Sequence, residues 1–293
     1  MQAIADIVAF VNQREETPRV SDLRCRVRDA MDAASDEYVF PARIPDEQMS
    51  APLQVRKARA LALKLSLMPV ALWRGQLFAG SMTLEEPRLH YERGFPDYTT
   101  AAECEAAAAD GLSTRSVFGH IVPDYPRLLQ LGLPGILAET RTQRSLTQNF
   151  EELAFLDAVE IALQAVIAYA ERLADYCSRE VLGCYDCGGG DPIRAAELSQ
   201  MAANLHAIAS GPAQTFWQAL QAVWLLHMIF HSTMNGNAMG RLDQYAWPFL
   251  QADLDAGRLA LDMAAELIDC FCLKFNERAK TTDEQRPDAR SED

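Results

Sequence analysis

The sequence predicts a predominantly α-helical fold with only a few short strands. Three observations predict it. Apolar residues recur at three- and four-residue spacing over long stretches, several of these stretches open with an acidic residue followed by proline, and strand-like alternation is scarce. A chain of 293 residues is long enough to bury a sizeable core.

The longest stripe runs from Glu151 to Cys177, with Leu153, Leu156, Val159, Leu163, Val166, Ala170, Leu173 and Cys177 on one face. Asp191-Pro192 supplies an N-cap and a first-turn proline for a second helix, which carries Ala196, Leu198, Met201, Leu205 and Ile208 and stops at Ser210-Gly211-Pro212. Thr215 to Phe230 is apolar nearly all round and is therefore expected at the centre of the fold. With Phe216, Trp217, Trp224 and Phe230 on one short helix, a face left for self-association or for a partner layer is also expected. Leu259–Lys280 continues the helical pattern. Strand signal is confined to Val70–Trp73 and Gln76–Ala79, which read as a hairpin turning at Arg74-Gly75, and to a segment after Gly240. The tail from Thr281 to Asp293 has almost no apolar residues and is expected to be disordered.

Composition narrows the function classes. The apolar fraction of 49% and charged fraction of 23% are those of a soluble globular chain. A net charge of −14 disfavours nucleic acid and anionic membranes as partners, because both are held by clustered Lys and Arg. The first ten residues lack a basic region and place Asp6 inside an apolar stretch, and no run approaches about 20 uninterrupted apolar residues. The expected location is cytoplasmic. An odd set of seven cysteines in such a chain points to reduced thiols.

Five collinear stretches carry a resemblance. They are Pro52-Leu-Gln-Val-Arg-Lys-Ala-Arg-Ala-Leu61, Pro69–Gly80, Gly119-His-Ile-Val-Pro-Asp-Tyr125, the Phe216–Gln221 helix, and Gly240-Arg-Leu-Asp-Gln-Tyr245. Together they resemble the glycyl radical enzymes of the pyruvate formate-lyase type, and within them the dehydratase, C–N or C–S lyase and decarboxylase branch. The resemblance covers about residues 20 to 280 and groups residues 1–280 as one region. It implies the N-terminal part of an α/β barrel with helices outside and the active site inside. It further implies a thiyl radical on a loop cysteine and a radical-storing glycine, installed by a radical S-adenosylmethionine activase carrying an iron–sulfur cluster.

In that family the radical cysteine follows the Arg-x-Asp-Gln-Tyr signature, and the glycine sits in an Arg-Val-x-Gly-Tyr context. Neither motif occurs in these 293 residues. The Gly183-Cys184 dipeptide lies on the wrong side of the signature. The expectation is therefore the N-terminal portion of a lyase or dehydratase for a small oxygenated metabolite, inactive alone, with no catalytic residue, no metal and no cofactor of its own. A complementing C-terminal chain, the activase or self-association would supply partners. The other class of reading is a non-catalytic domain that binds a partner chain or the activase.

The loop His231–Gly240 is the main binding candidate, since hydroxyl, amide and imidazole groups emerge there from a very apolar helix. His231, Ser232, Asn235 and Asn237 are its candidate substrate-binding residues; a solvated turn is the other reading. Arg241 and Asp243, two apart, share a face if extended and are assigned a structural role as a buried pair. His120 and Asp124 form either an acid–base pair or, with Pro123 and Pro126 beside them, a helix-capping turn, which is the favoured role. Cys184-x-x-Cys187 with Cys270-x-Cys272 could make a thiolate site, but Cys270 and Cys272 lie about 200° apart on a helix.

Overall fold

The computed structural model describes residues 2–32, 42–68, 70, 72–81, 95–112, 121–186, 190–231 and 237–276. Eleven α-helices occur among them: α1 (Gln2–Gln13), α2 (Pro18–Asp32), α3 (Leu53–Leu67), α4 (Ala101–Ala109), α5 (Tyr125–Leu146), α6 (Phe150–Asp186), α7 (Pro192–Ser210), α8 (Phe216–His231), α9 (Leu242–Tyr245), α10 (Trp247–Asp255) and α11 (Leu261–Asn276). The tail 281–293 lies outside the described residues.

The periodic stretches fold as helices, and their apolar stripes explain the packing. α6 lies against α3, α5 and α7. Its Val166, Tyr169, Ala170, Leu173, Ala174 and Cys177 join Leu198, Met201, Leu205 and Ile208 of α7 in one core. α6 is long and apolar enough to cross a membrane by length and composition alone; its residues 166–177 are packed on these neighbours, while Leu153, Leu156, Val159 and Leu163 are half-buried. The Asp191 carboxylate accepts from Arg194 N and Pro192 occupies the first turn of α7, so the cap and proline read from sequence do open that helix.

α8 sits at the centre, packed by α5, α7, α10 and α11. Phe216, Leu220, Val223, Trp224, Leu225, Met228 and Ile229 are all buried within this chain. Of the four aromatics on the expected open face, Phe216 and Trp224 are thus covered by these neighbours, while Trp217 and Phe230 are half-buried. Asp253 of α10 is itself buried and accepts from Phe216 N at 2.7 Å, giving one orphan donor at the start of α8 a partner. Arg258 balances that carboxylate at 2.8 Å.

α5 bends at Gly132, whose φ of 68° and ψ of 169° leave the helical region. A Cβ there would lie 2.5 Å from the Gly211 carbonyl carbon and 2.6 Å from Pro212 N. Glycine is thus required twice over, by conformation and by the approach of the α7–α8 connection.

The expected strands are not formed among the described residues. Among the described residues the only β pairing is an isolated parallel bridge between Arg43 and Asp97. The turn at Arg74-Gly75 is present, with Gly75 at φ 88° and Gln76 N donating to Trp73 O at 3.1 Å. The arms do not pair among the described residues, because residues 77–80 turn their backbone toward α8 instead. After Gly240 the chain makes a helical turn, with Gln244 N and Tyr245 N both donating to Arg241 O. Asp243 is therefore helical rather than extended.

Candidate functional site

The site is assembled around α8, whose two polar faces do different work. Trp217, Gln221 and Trp224 recur at four- and three-residue spacing on one face and serve as a ladder partner for the buried segment 77–80. Trp217 Nε1 donates to Leu77 O at 2.8 Å, and Trp224 Nε1 to Gly80 O at 2.9 Å. Gln221 closes a two-way pair with Ala79, accepting from its N at 2.9 Å and donating to its O at 3.1 Å. This fixes the position of a segment that has no strand neighbour.

The C-terminal turns of α8 carry His227 and His231, four apart, with ring centroids 4.4 Å from each other. His227 Nδ1 lies 3.1 Å from the Tyr125 hydroxyl at the start of α5. Phe275 of α11 packs edge-on against His227 at 4.7 Å and against Trp224 at 5.7 Å. Burial pushes the Tyr125 phenol well above its ordinary value, so it stays neutral.

The chain returns to this cluster at Asn237. Ala238 N donates to Ile121 O at 2.9 Å, and Tyr245 donates its hydroxyl to Met239 O at 2.7 Å. Tyr245 in turn stands 5.9 Å from the Tyr125 ring. Gly240 adopts φ 62°, and a Cβ there would meet Val122 Cγ1 at 2.8 Å. The 121–125 motif, the end of α8 and the 237–245 segment therefore converge. Asn237 is only 8% exposed, and neither its Nδ2 nor its Oδ1 has a hydrogen-bond partner. A buried carboxamide with both ends unsatisfied is costly in a finished core and is what a ligand-facing group looks like.

The other candidates fall as follows. His231 is buried beside His227. Ser232, Asn235 and His120 lie outside the described residues. Asp124 caps α5 by accepting from Arg127 N at 3.0 Å. Arg241 and Asp243 do pair, at 2.9 and 2.6 Å, but their side chains are 67% and 64% exposed. The buried pair expected from sequence is a surface fork, and the helical turn is the reason: it points both side chains outward. The guanidinium still holds the Asp243 carboxyl below its usual range. Cys270 is buried and Cys272 exposed on α11, and burial pushes the Cys270 and Cys177 thiols up to about 12, which leaves both protonated.

Sequence reasoning missed Tyr125, His227, Gln221 and Tyr245. Tyr125 and Tyr245 close two of the quoted motifs, and His227 stands one helical turn before His231, so those signals were present. Nothing local marked Gln221, whose partner is 142 residues away.

Among curated proteins, an isethionate sulfite-lyase of Oleidesulfovibrio alaskensis is 26% identical over 75% of this chain and 27% of its own length. The probable dehydratase YbiW of Escherichia coli is 34% identical over 54% of this chain and 20% of its own. The chain thus spans about a quarter of the length of these relatives. Among solved structures, the glycerol-bound B12-independent glycerol dehydratase of Clostridium butyricum superposes with a TM-score of 0.70 at 23% identity, covering 92% of this chain and 41% of that one. A structure concerned with 1,2-propanediol dehydration in Roseburia inulinivorans gives 0.71 at 22% identity, covering 92% and 38%. These two likenesses show the fold. Residues 82–292 match the family described as pyruvate formate lyase-like, and the chain belongs to that family.

Proposed function

We propose that this chain is the N-terminal portion of a glycyl radical lyase or dehydratase, part of its α/β barrel, and that it supplies substrate-binding groups rather than the radical. The substrate is a small oxygenated metabolite whose C–C, C–O, C–N or C–S bond is cleaved by radical chemistry. The observation that carries this reading is Asn237: a buried carboxamide with its donor and acceptor both unsatisfied, beside the place where the Gly119–Tyr125 and Gly240–Tyr245 motifs meet. A neutral group with one acceptor and two donor hydrogens suits a hydroxyl or carbonyl oxygen. His231, at the end of α8, and Ser232 and Asn235 complete the proposed binding set. Asp124, His120, Arg241 and Asp243 are given structural roles.

The chemistry would come from residues these 293 do not include, namely a Gly-Cys loop beyond the Arg241 signature and a radical glycine in an Arg-Val-x-Gly-Tyr context. A radical S-adenosylmethionine activase would install the radical. Supporting this reading, the relatives include isethionate sulfite-lyases and a (2S)-3-sulfopropanediol dehydratase of Klebsiella oxytoca.

Electron paramagnetic resonance tests the proposal. Incubated anaerobically with an activase and S-adenosylmethionine, the 293-residue chain gives no glycyl doublet. A polypeptide that continues through both missing motifs gives one, and Asn237→Ala raises its KM for substrate. A doublet on the 293-residue chain, or a KM unmoved by Asn237→Ala, contradicts the reading.

A further inference from the structure

Hydrogen-bond accounting around Tyr125 sets the protonation pattern of a second residue. Tyr125 is fully buried, and its phenol makes a single hydrogen bond, to His227 Nδ1. The neighbouring phenol of Tyr245 donates to the Met239 carbonyl and is not bonded to Tyr125. Suppose His227 carried its hydrogen on Nδ1. It would then donate to the Tyr125 oxygen, and the phenol hydrogen would be buried with no acceptor. The opposite polarity satisfies both atoms, and it also matches their chemistry. A phenol is the better donor of the two, and an imidazole lone pair the better acceptor.

We infer that Tyr125 is a positioning residue: it donates to His227 Nδ1 and so holds His227 as the neutral tautomer with its hydrogen on Nε2. The ring is wedged in that orientation by His231 at 4.4 Å and Phe275 at 4.7 Å. Nε2 lies on the ring edge away from Nδ1, so His227 presents an N–H there and no lone pair. While the Tyr125 bond holds, that edge serves an oxygen acceptor; it neither takes up a proton nor ligates a cation. The tyrosine of the Pro123-Asp-Tyr125 motif thereby reaches across 102 residues to fix what the end of α8 can offer. The bearing of this on catalysis rests on the proposal that the end of α8 lines the binding site.

Long-range proton–nitrogen correlation NMR on imidazole-labelled protein, at neutral pH and without substrate, tests the tautomer alone. His227→Gln identifies the signals. The expected spectrum has a pyridine-type Nδ1 and a pyrrole-type Nε2 in one tautomer. In Tyr125→Phe, with cooperative melting retained, the signals move toward a mixture of tautomers. A pyrrole-type Nδ1 in the wild type, alone or with Nε2, overturns the inference, as do His227 signals unmoved in Tyr125→Phe. If that variant does not fold, the wild-type spectrum decides by itself. Because no substrate or radical is involved, this outcome is separate from the resonance test of the proposed function.

Discussion

The α6–α7 pair and the pairing of α8 with residues 77–80 hold the same core together by different means. α6 and α7 meet through apolar stripes, and each large side chain buried there contributes about 1.5–3 kcal/mol. The polar links on the other flank of α6, such as Arg141 of α5 with Glu160 at 2.8 Å, reach solvent and add little. At α8 the contact instead runs through four side-chain-to-backbone hydrogen bonds, from Trp217, Gln221 and Trp224 to residues 140 to 144 positions earlier. Stripes tolerate small changes, because burial is spread over many atoms. A buried backbone group held by one side chain has no substitute, so the second region is the more brittle, and the candidate site stands on it.

The seam joining the two regions gives the largest expected effect. Gly132→Ala places a Cβ against Gly211 and Pro212 and forces a non-glycine residue into positive φ. A loss on the order of 3 kcal/mol or more is expected in denaturant unfolding. Unchanged unfolding would mean that α5 does not need its bend.

Next comes Gln221→Leu, which keeps volume and removes both bonds to Ala79. Two buried backbone groups left unpaired cost about 1–3 kcal/mol each. An effect well under 1 kcal/mol would show that segment 77–80 does not depend on the Gln221 pair, and the comparison would collapse.

The smallest effect is ionic and lies away from both regions. Arg56 of α3 forms a fork with Glu103, at 2.9 Å through Nη1, and also donates to Ala51 O and Tyr98 O. The bond to the guanidinium, helped by Thr100 N, lowers the Glu103 carboxyl to about 2. A depressed carboxyl contributes stability above its unfolded value of about 4.3, and that stability is lost as pH falls toward 2. Glu103 is 40% exposed, so solvent screening holds the contribution below about 1 kcal/mol. Glu103→Gln should flatten stability across that window; a slope that survives the substitution belongs to other carboxylates.

Much of the fold was legible. The stripes of α6 and α7, the proline caps and the central place of α8 follow from local periodicity and turn chemistry. The hairpin was misread because an apolar run beside a turn says nothing about its pairing partner, and here that partner is a helix face about 140 residues away. Arg241 and Asp243 were misread because two-residue spacing implies a shared face only in an extended chain. Of the candidate site, the loop and Asn237 could be read from the polar run after α8. Its unsatisfied amide could not, since that depends on Ile121 and Tyr245 bringing the segment inward.

Amide hydrogen exchange at Ala79 tests the brittle clamp beneath the site most directly. Ala79 belongs to no helix or ladder, and its N–H is bonded only to Gln221 Oε1. The account predicts that this amide exchanges as slowly as those in the middle of α8, and that Gln221→Leu releases it while α6 and α7 amides stay protected. Rapid exchange of Ala79 in the wild-type chain, at rates typical of an open loop, would contradict it.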